Sequence, residues 1–324
     1  MDDSLYAGSA RYYAAGRLPY PAGIAEVLRA GLGLDGRGRL LDVGCGPGTL
    51  TRTLAPLFEG AVGVDADAGM VAEARRSTKD GAGSACGGTD AHGGEVGHGA
   101  DCVHGGDLAH GGDGGHDADR AHVGDFAHGG DGGDGGHGVE WRHLRAEELP
   151  AGLGRFRVAT FAQSFHWMDR PLVARRVRGM LSPGGAWVHV DGVTHLGAAG
   201  GGPLPHPEPP HDGIAALVRR YLGPVRRAGE ALLPRGTPGG EADIMRAAGY
   251  TGPERLPVGG GAVHERSVDQ VVALVFSLSW SAPHLFGARL ADFERDLRAL
   301  LGEASPSGRF AQRARDAVLV VWRP

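Results

Sequence analysis

The 324 residues include 33 basic and 38 acidic side chains and three cysteines, Cys45, Cys86 and Cys102, which form neither a disulfide framework nor a C-x-x-C pair. The formal charge of −5 is unevenly held: residues 79–138 carry eleven acids against two bases, a net −9, which leaves a mild +4 elsewhere and no case for a nucleic-acid partner. The Met-Asp-Asp start has no basic-then-apolar leader, and the longest apolar run, 271–280, is far short of a membrane span, so a cytoplasmic protein with no membrane partner is expected.

In chain order the pattern predicts a helix over 6–16, rich in tyrosine, a turn at Arg17-Leu-Pro-Tyr-Pro21, and a helix over 22–31. An apolar strand from Leu40 then ends in Asp42 and runs into Gly44-Cys45-Gly46-Pro47-Gly48, ahead of a helix over 50–57. The glycines allow a sharp turn and close approach to a ligand, because no Cβ intervenes and positive φ costs little. The spacing is G-x-G-x-G, whereas a dinucleotide fingerprint sets its third glycine one residue later and offers a helix N-terminus to a pyrophosphate. Pro47 removes an amide donor from the loop. Asp42 suits a ligand bearing an ammonium and a sulfonium better than a phosphate. A second strand, 61–65, ends in Asp65, 17 residues past Gly48, where a carboxylate accepts ribose hydroxyls. A helix over 68–77 follows.

Regular structure resumes as a third strand over 139–144 and a fourth over 157–163. A helix over 171–180, stopped by Ser-Pro-Gly-Gly, leads to a fifth strand over 186–191. This alternation implies a parallel sheet covered on both faces. Beyond a Pro/Gly loop at 197–210, helices are expected over 212–222 and 241–248, and segments near 254–258 and 317–322 complete the sheet edge. Helices over 268–279 and 289–301 are left as lid or substrate-pocket material.

With both halves of the signature in place, at 40–51 and 61–65, the chain resembles the class I S-adenosylmethionine-dependent methyltransferases. Within them it looks closest to the small-molecule branch with a Tyr- and Arg-rich leading helix and a His-Trp pair after the fourth strand. The resemblance implies an α/β, Rossmann-like doubly wound sheet, mostly parallel with an antiparallel edge strand, and a C-terminal helical substrate cover. That domain would span 1–78 and 139–324. S-adenosylmethionine is the implied cofactor, held by Asp42, Gly44, Cys45, Gly46, Gly48, Asp65, Ala66 and Met70.

Further on, Arg145-Ala146-Glu147 resembles the segment that reads adenine: the Ala146 amide meets a ring nitrogen and Glu147 accepts the exocyclic amine. The alternative is a solvated helix start. Gln163 and Ser164 are expected at the methionine end of the cofactor. Tyr12, Tyr13, Arg17 and Tyr20 resemble the family's N-terminal cap, in which an arginine, here Arg17 with Arg11 as competitor, pairs with the methionine carboxylate and tyrosines close over the methyl; the alternative is an ordinary amphipathic helix and turn. His166 and Tyr20 are the candidate catalytic residues. His166 is either a general base or a hydrogen-bonded packing residue. Trp167 either faces the sulfonium by cation–π attraction or packs in the core. Cys45 has no neighbouring base and reads as a small loop residue, not a nucleophile. Methyl transfer from a sulfonium depends chiefly on in-line placement in a water-poor pocket. A small-molecule acceptor is expected, and no spacing identifies it.

Between the second helix and the third strand, residues 79–138 are nearly all Gly, His, Asp or Ala. Hexads begin at His92, His98, His104, His110, His116, His122 and His128, with Asp101, Asp107, Asp113, Asp119, Asp125 and Asp131 at the fourth position. One imidazole and one carboxylate per hexad offer adventitious ligands to a divalent metal. No repeat position is consistently aliphatic, which excludes a β-helix. With about a third of its residues glycine, the segment cannot offset the entropy of ordering and is expected to be a disordered insertion. Two other functions follow as alternatives: an S-adenosylmethionine-binding protein that transfers no methyl, or a methyltransferase fold whose insert binds metal or a partner.

Overall fold

The computed structural model describes residues 6–83, 138–225, 227–228, 231–232 and 239–324. The chain opens with helices α1 (Ala10–Gly16) and α2 (Ile24–Leu32), then alternates β1 (Arg39–Val43), α3 (Thr49–Leu54), β2 (Gly60–Asp65), α4 (Ala68–Gly83), β3 (Val139–His143), β4 (Phe156–Ala162), α5 (Arg170–Met180) and β5 (Leu181–Gly192). The second half contains α6 (His211–Leu222), the short strands β6 (Arg227–Ala228) and β7 (Ala231–Leu232), α7 (Glu241–Ala247) and β8 (Thr251–Val258). It closes with β9 (Val263–Ser267), α8 (Val268–Phe276), α9 (Leu290–Ala304), β10 (Arg309–Arg313) and β11 (Ala317–Arg323).

Seven strands form one sheet in the order β3-β2-β1-β4-β5-β11-β8. The first five run parallel. Only β11 is antiparallel to its neighbours, β5 and β8. The expected antiparallel strand is therefore present, but it lies one place in from the edge. The sequence of each strand explains the placement. Most of β11, an apolar run, is buried, whereas β8 is largely exposed and carries Pro253 and Pro257, which cannot donate to a ladder on both sides.

Near-continuous apolar strands require cover on both faces, and successive residues serve opposite sides. Leu41, Val62 and Trp187 pack with Val173 and Val177 of α5 on one face. On the other, Leu40, Ala61 and Val188 pack with Ile24 and Leu28 of α2 and Leu50 and Leu54 of α3. A third cluster forms the helical cover: Ile214 and Leu217 of α6, Val275 and Phe276 of α8, and Phe293 and Leu297 of α9, with Tyr12 of α1 against them. The cover also contains an antiparallel pair, β9–β10, to which the hydrophobic pattern gives no signal. Its buried side chains include Arg266 and Gln312, which bond each other at 3.2 Å.

Helix limits differ from expectation where local capping decides. The chain becomes α-helical at Ala10 rather than at residue 6. Ser267 and Gln270 form a reciprocal capping box at the start of α8, which ends at Phe276 as the Ser277 hydroxyl turns back to the Leu274 carbonyl. Helix α4 continues to Gly83, five residues beyond the expected domain boundary. The hexad repeat itself lies outside the described residues. Among the described residues no helix is long and apolar enough to cross a membrane, and no group of three ligating side chains could hold a metal ion.

Candidate active site

The strand order reverses between β1 and β4, which opens a crevice at the strands' C-terminal ends. Gly44, Gly46 and Gly48 all have positive φ there, at 69°, 55° and 76°. The three glycines nevertheless serve different neighbours. A Cβ on Gly44 would stand 2.5 Å from the Ser164 Cβ, and one on Gly48 would stand 2.2 Å from the Trp141 ring. Around Gly46 nothing lies within 4 Å. Two of the glycines thus make room for protein side chains, and one faces open space.

Asp65, at the end of β2, accepts the Gly46 amide at 2.8 Å and the Asp67 amide at 2.9 Å. It thereby ties the loop to the second strand, and burial raises its pKa despite those two bonds. Each oxygen keeps a lone pair for a ligand hydroxyl. Asp42 is buried and accepts hydroxyl hydrogens from Thr51 at 2.6 Å and Thr160 at 2.8 Å. Burial pushes its pKa up to about 6, which the two hydroxyls only partly counter. Cys45 packs with Val71, Ala74 and Trp141. Burial and the nearby Asp65 and Asp42 carboxylates hold its thiol well above the ordinary range, in keeping with a non-nucleophilic role.

Beside the loop, a small cavity is lined by Tyr13, Arg17, Tyr20, Asp42, Gly44 and Gly46, among others. Tyr13, Arg17, Tyr20 and Thr194 also border a chamber of about 360 Å³ that continues past Gln163, His166 and Trp167 to Ser279 and Trp280. Arg17 donates through Nε to the Ser277 hydroxyl and through Nη2 to the Ser277 carbonyl, both at 2.9 Å, and lies 4.7 Å over the Tyr13 ring. Arg11, its competitor, bonds the Tyr12 hydroxyl on an exposed face instead. Burial, with Tyr13 and Asp42 nearby, raises the pKa of Tyr20; burial likewise raises that of Tyr6, so both phenols stay protonated. Gln163 holds φ at +54°, a conformation costly for a residue with a side chain and one that clusters at functional sites. Trp167 lines the chamber rather than the core, and its Nε1 is buried with no hydrogen-bond partner among the described residues.

Other expected residues stand at different depths. Glu147 accepts the Asp169 amide through Oε1, while Oε2 is buried without a hydrogen bond, with the Arg145 Nε facing it at 3.9 Å, and can accept from an exocyclic amine. Ala146 is buried in the first core cluster. The Ala66 carbonyl is paired with the His143 ring at 3.0 Å. The Ser164 hydroxyl is spent on the Val43 carbonyl at 2.7 Å, and Met70 is buried. Tyr6, Thr194, His195, Ser279 and Trp280 join the chamber without forewarning in the spacing. Only Tyr6 had a signal, as part of the Tyr-rich leading segment.

A family model described as a methyltransferase domain matches residues 40–93, the stretch that holds the glycine loop and Asp65. No curated protein matches the chain. Among solved structures, an S-adenosylmethionine-dependent methyltransferase from Clostridium acetobutylicum ATCC 824 is 14% identical with a TM-score of 0.33, over 56% of this chain and 50% of that one. The chain thus spans half the length of that protein. The YcgJ protein of Bacillus subtilis is 15% identical with a TM-score of 0.40, over 92% and 98% of the two chains. The precorrin 8w decarboxylase of Methanobacterium thermoautotrophicum is 10% identical with a TM-score of 0.39, over 93% and 89%. The family match makes residues 40–93 similar to a methyltransferase domain, and the glycine loop of that stretch sits in a seven-stranded, mostly parallel sheet. The cofactor is S-adenosylmethionine, and the open space at Gly46 and the Glu147 Oε2, which lacks a hydrogen bond, fit it.

Proposed function

We propose that the protein transfers the methyl group of S-adenosylmethionine to a small-molecule acceptor held in the chamber beyond Tyr13 and Tyr20. The observation that carries this reading is the adjacency of the two cavities, which share the lining residues Arg17, Tyr13, Tyr20 and Thr194. A ligand in the loop cavity and a second one in the chamber would meet at these four residues. In this reading Asp65 receives the ribose hydroxyls, Glu147 Oε2 the adenine amine, and Arg17 the amino-acid carboxylate. Asp42, held by Thr51 and Thr160, supplies negative potential to the cationic end.

When bound, the cofactor supplies a sulfonium methyl with a neutral leaving group. The remaining task is to align an acceptor atom behind it and exclude water. Tyr6, Tyr13, Tyr20 and Trp280 supply the aromatic wall, and His166 at the strand end is the base for an acceptor that must lose a proton. A panel of small acids, phenols, alcohols and amines offered with methyl-labelled cofactor tests the reading. Labelled product from at least one acceptor class is expected. Cofactor binding with no transfer across the panel would oppose it.

A further inference from the structure

The chamber adjoins a second cavity, with which it shares the lining residues His195, Leu278 and Trp280. The second cavity has a volume of about 390 Å³, within the range of small-molecule sites. Its apolar walls come from α6 (Ile214, Val218 and Leu222), from α8 (Leu274 and Val275) and from Leu278 in the turn after α8. The polar groups that line this cavity are either engaged or at its solvent-exposed rim. The Ser281 hydroxyl is donated to the Val275 carbonyl at 2.6 Å, and the His211 ring is bonded to Gln312 at 3.2 Å. Asp212 and Arg219 are exposed. Burial lowers the pKa of His211, so it presents a neutral ring.

The chamber has the opposite character. Among the described residues its lining holds Arg17, two histidines, three tyrosines and the unpartnered Trp167 Nε1, and no aspartate or glutamate, the nearest acidic influence being Asp42 on Tyr20 and Asp65 on Tyr6 from outside the lining. With Arg17 taken by the cofactor carboxylate, the tyrosines, histidines and Trp167 Nε1 remain as donors in a lining without a carboxylate, which suits an oxygen-bearing or anionic head, and the apolar cavity beside it suits a chain. The His195 and Trp280 rings stand edge to face at 6.4 Å at the junction between them.

Building on the methyltransferase reading, we infer that the acceptor is an amphiphile: an oxygen-nucleophile head sits by His166 and Trp167, and an apolar tail passes His195 and Trp280 into the cavity between α6 and α8. Each methylene buried there removes further apolar surface from water, so affinity should rise with tail length until the cavity is full.

The test titrates the full chain, loaded with S-adenosylhomocysteine, with n-alkanoates of about four to twelve carbons, followed by calorimetry. Affinity is expected to increase about fourfold per added methylene and then to level off. n-Alkylammonium ions of the same lengths, whose heads find no acid in the chamber, should bind far more weakly. Ala215→Trp, which fills the apolar cavity from α6, should flatten the alkanoate series while S-adenosylhomocysteine still binds. A series flat with chain length in the wild-type chain would overturn the inference alone, as would equal binding of the ammonium series or an unaltered series in Ala215→Trp. The wild-type series decides the matter even if that variant fails to fold. Failure to bind S-adenosylhomocysteine at all would remove the methyltransferase reading as well.

Discussion

Asp42 sits in a tension that its neighbours do not relieve. Two threonine hydroxyls point at it, yet burial holds its pKa at about 6, above the ordinary 3.8. The folded pKa lies above the unfolded one, so the folded chain binds the extra proton between about pH 4 and pH 6. This group therefore costs stability at neutral pH, about 3 kcal/mol at 1.36 kcal/mol per pKa unit, and the cost fades as pH falls through that window. A cationic ligand prefers the ionised form and has the opposite dependence. S-adenosylmethionine affinity should be level above about pH 7 and fall by up to tenfold per pH unit below 6, whereas Asp42→Asn should show no such slope. Calorimetry across pH checks this, and a wild-type profile flat to pH 5 would remove Asp42 from the cofactor's field.

His166 gives the second test at this scale. His166→Ala should slow turnover of an acceptor that must lose a proton by about 10²–10⁴-fold and leave cofactor affinity nearly intact. Equal loss of cofactor binding and thermal stability would make the ring a packing residue. The glycines, Asp65 and His166 were legible in the sequence because each belongs to a short local motif. Thr194, His195, Ser279 and Trp280 were not, because the chamber joins segments far apart in the chain. Likewise, no motif spacing reveals that the Gly44 and Gly48 positions make room for Ser164 and Trp141.

Between elements, the contact of α1 with α8 controls the site. A Cβ on Gly16 would stand 2.5 Å from the Ala273 backbone, so the helices meet at the closest approach a side chain would forbid. Around that point Ser9 donates to the Phe276 carbonyl at 2.8 Å, Arg17 holds Ser277, and the buried Arg266 guanidinium donates to the Gly16 carbonyl. Gly16→Val should push α1 away from α8 and displace Arg17. Loss of one charge-assisted contact of about 1.5–3 kcal/mol would weaken cofactor binding by roughly 10- to 100-fold. The sheet should stay intact by far-ultraviolet circular dichroism. Unchanged affinity in a folded Gly16→Val chain would separate Arg17 from the cofactor. The parallel strands and main helices were readable from alternation and apolar runs. The β9–β10 pair was not, because its inward positions include Arg266 and Gln312, which no hydrophobic period reveals. Nor was the insertion of β11 between β5 and β8, since strand order is set by tertiary packing.

Across the whole molecule, the charge imbalance and the repeat bear on what can be removed. Strand β3 begins at Val139 and its other end, at His143, lies beside Asp65 in the sheet register. Strand β3 therefore starts at the end of the sheet away from the glycine loop. Loop length costs only about 0.6 kcal/mol per doubling. Replacing 84–137 with a short linker, and keeping α4 whole to Gly83, should leave the melting temperature and cofactor affinity nearly unchanged. It should also remove most divalent-metal binding near neutral pH, since eight of the sixteen histidines go with it. A shortened chain that fails to fold would make the repeat structural. The most direct measurement is calorimetric titration of the full chain with S-adenosylmethionine, S-adenosylhomocysteine and NAD. Saturable binding of the first two at one site, weakened alike by Asp65→Ala, and no binding of NAD are expected; NAD binding with neither sulfur ligand bound would contradict the assignment.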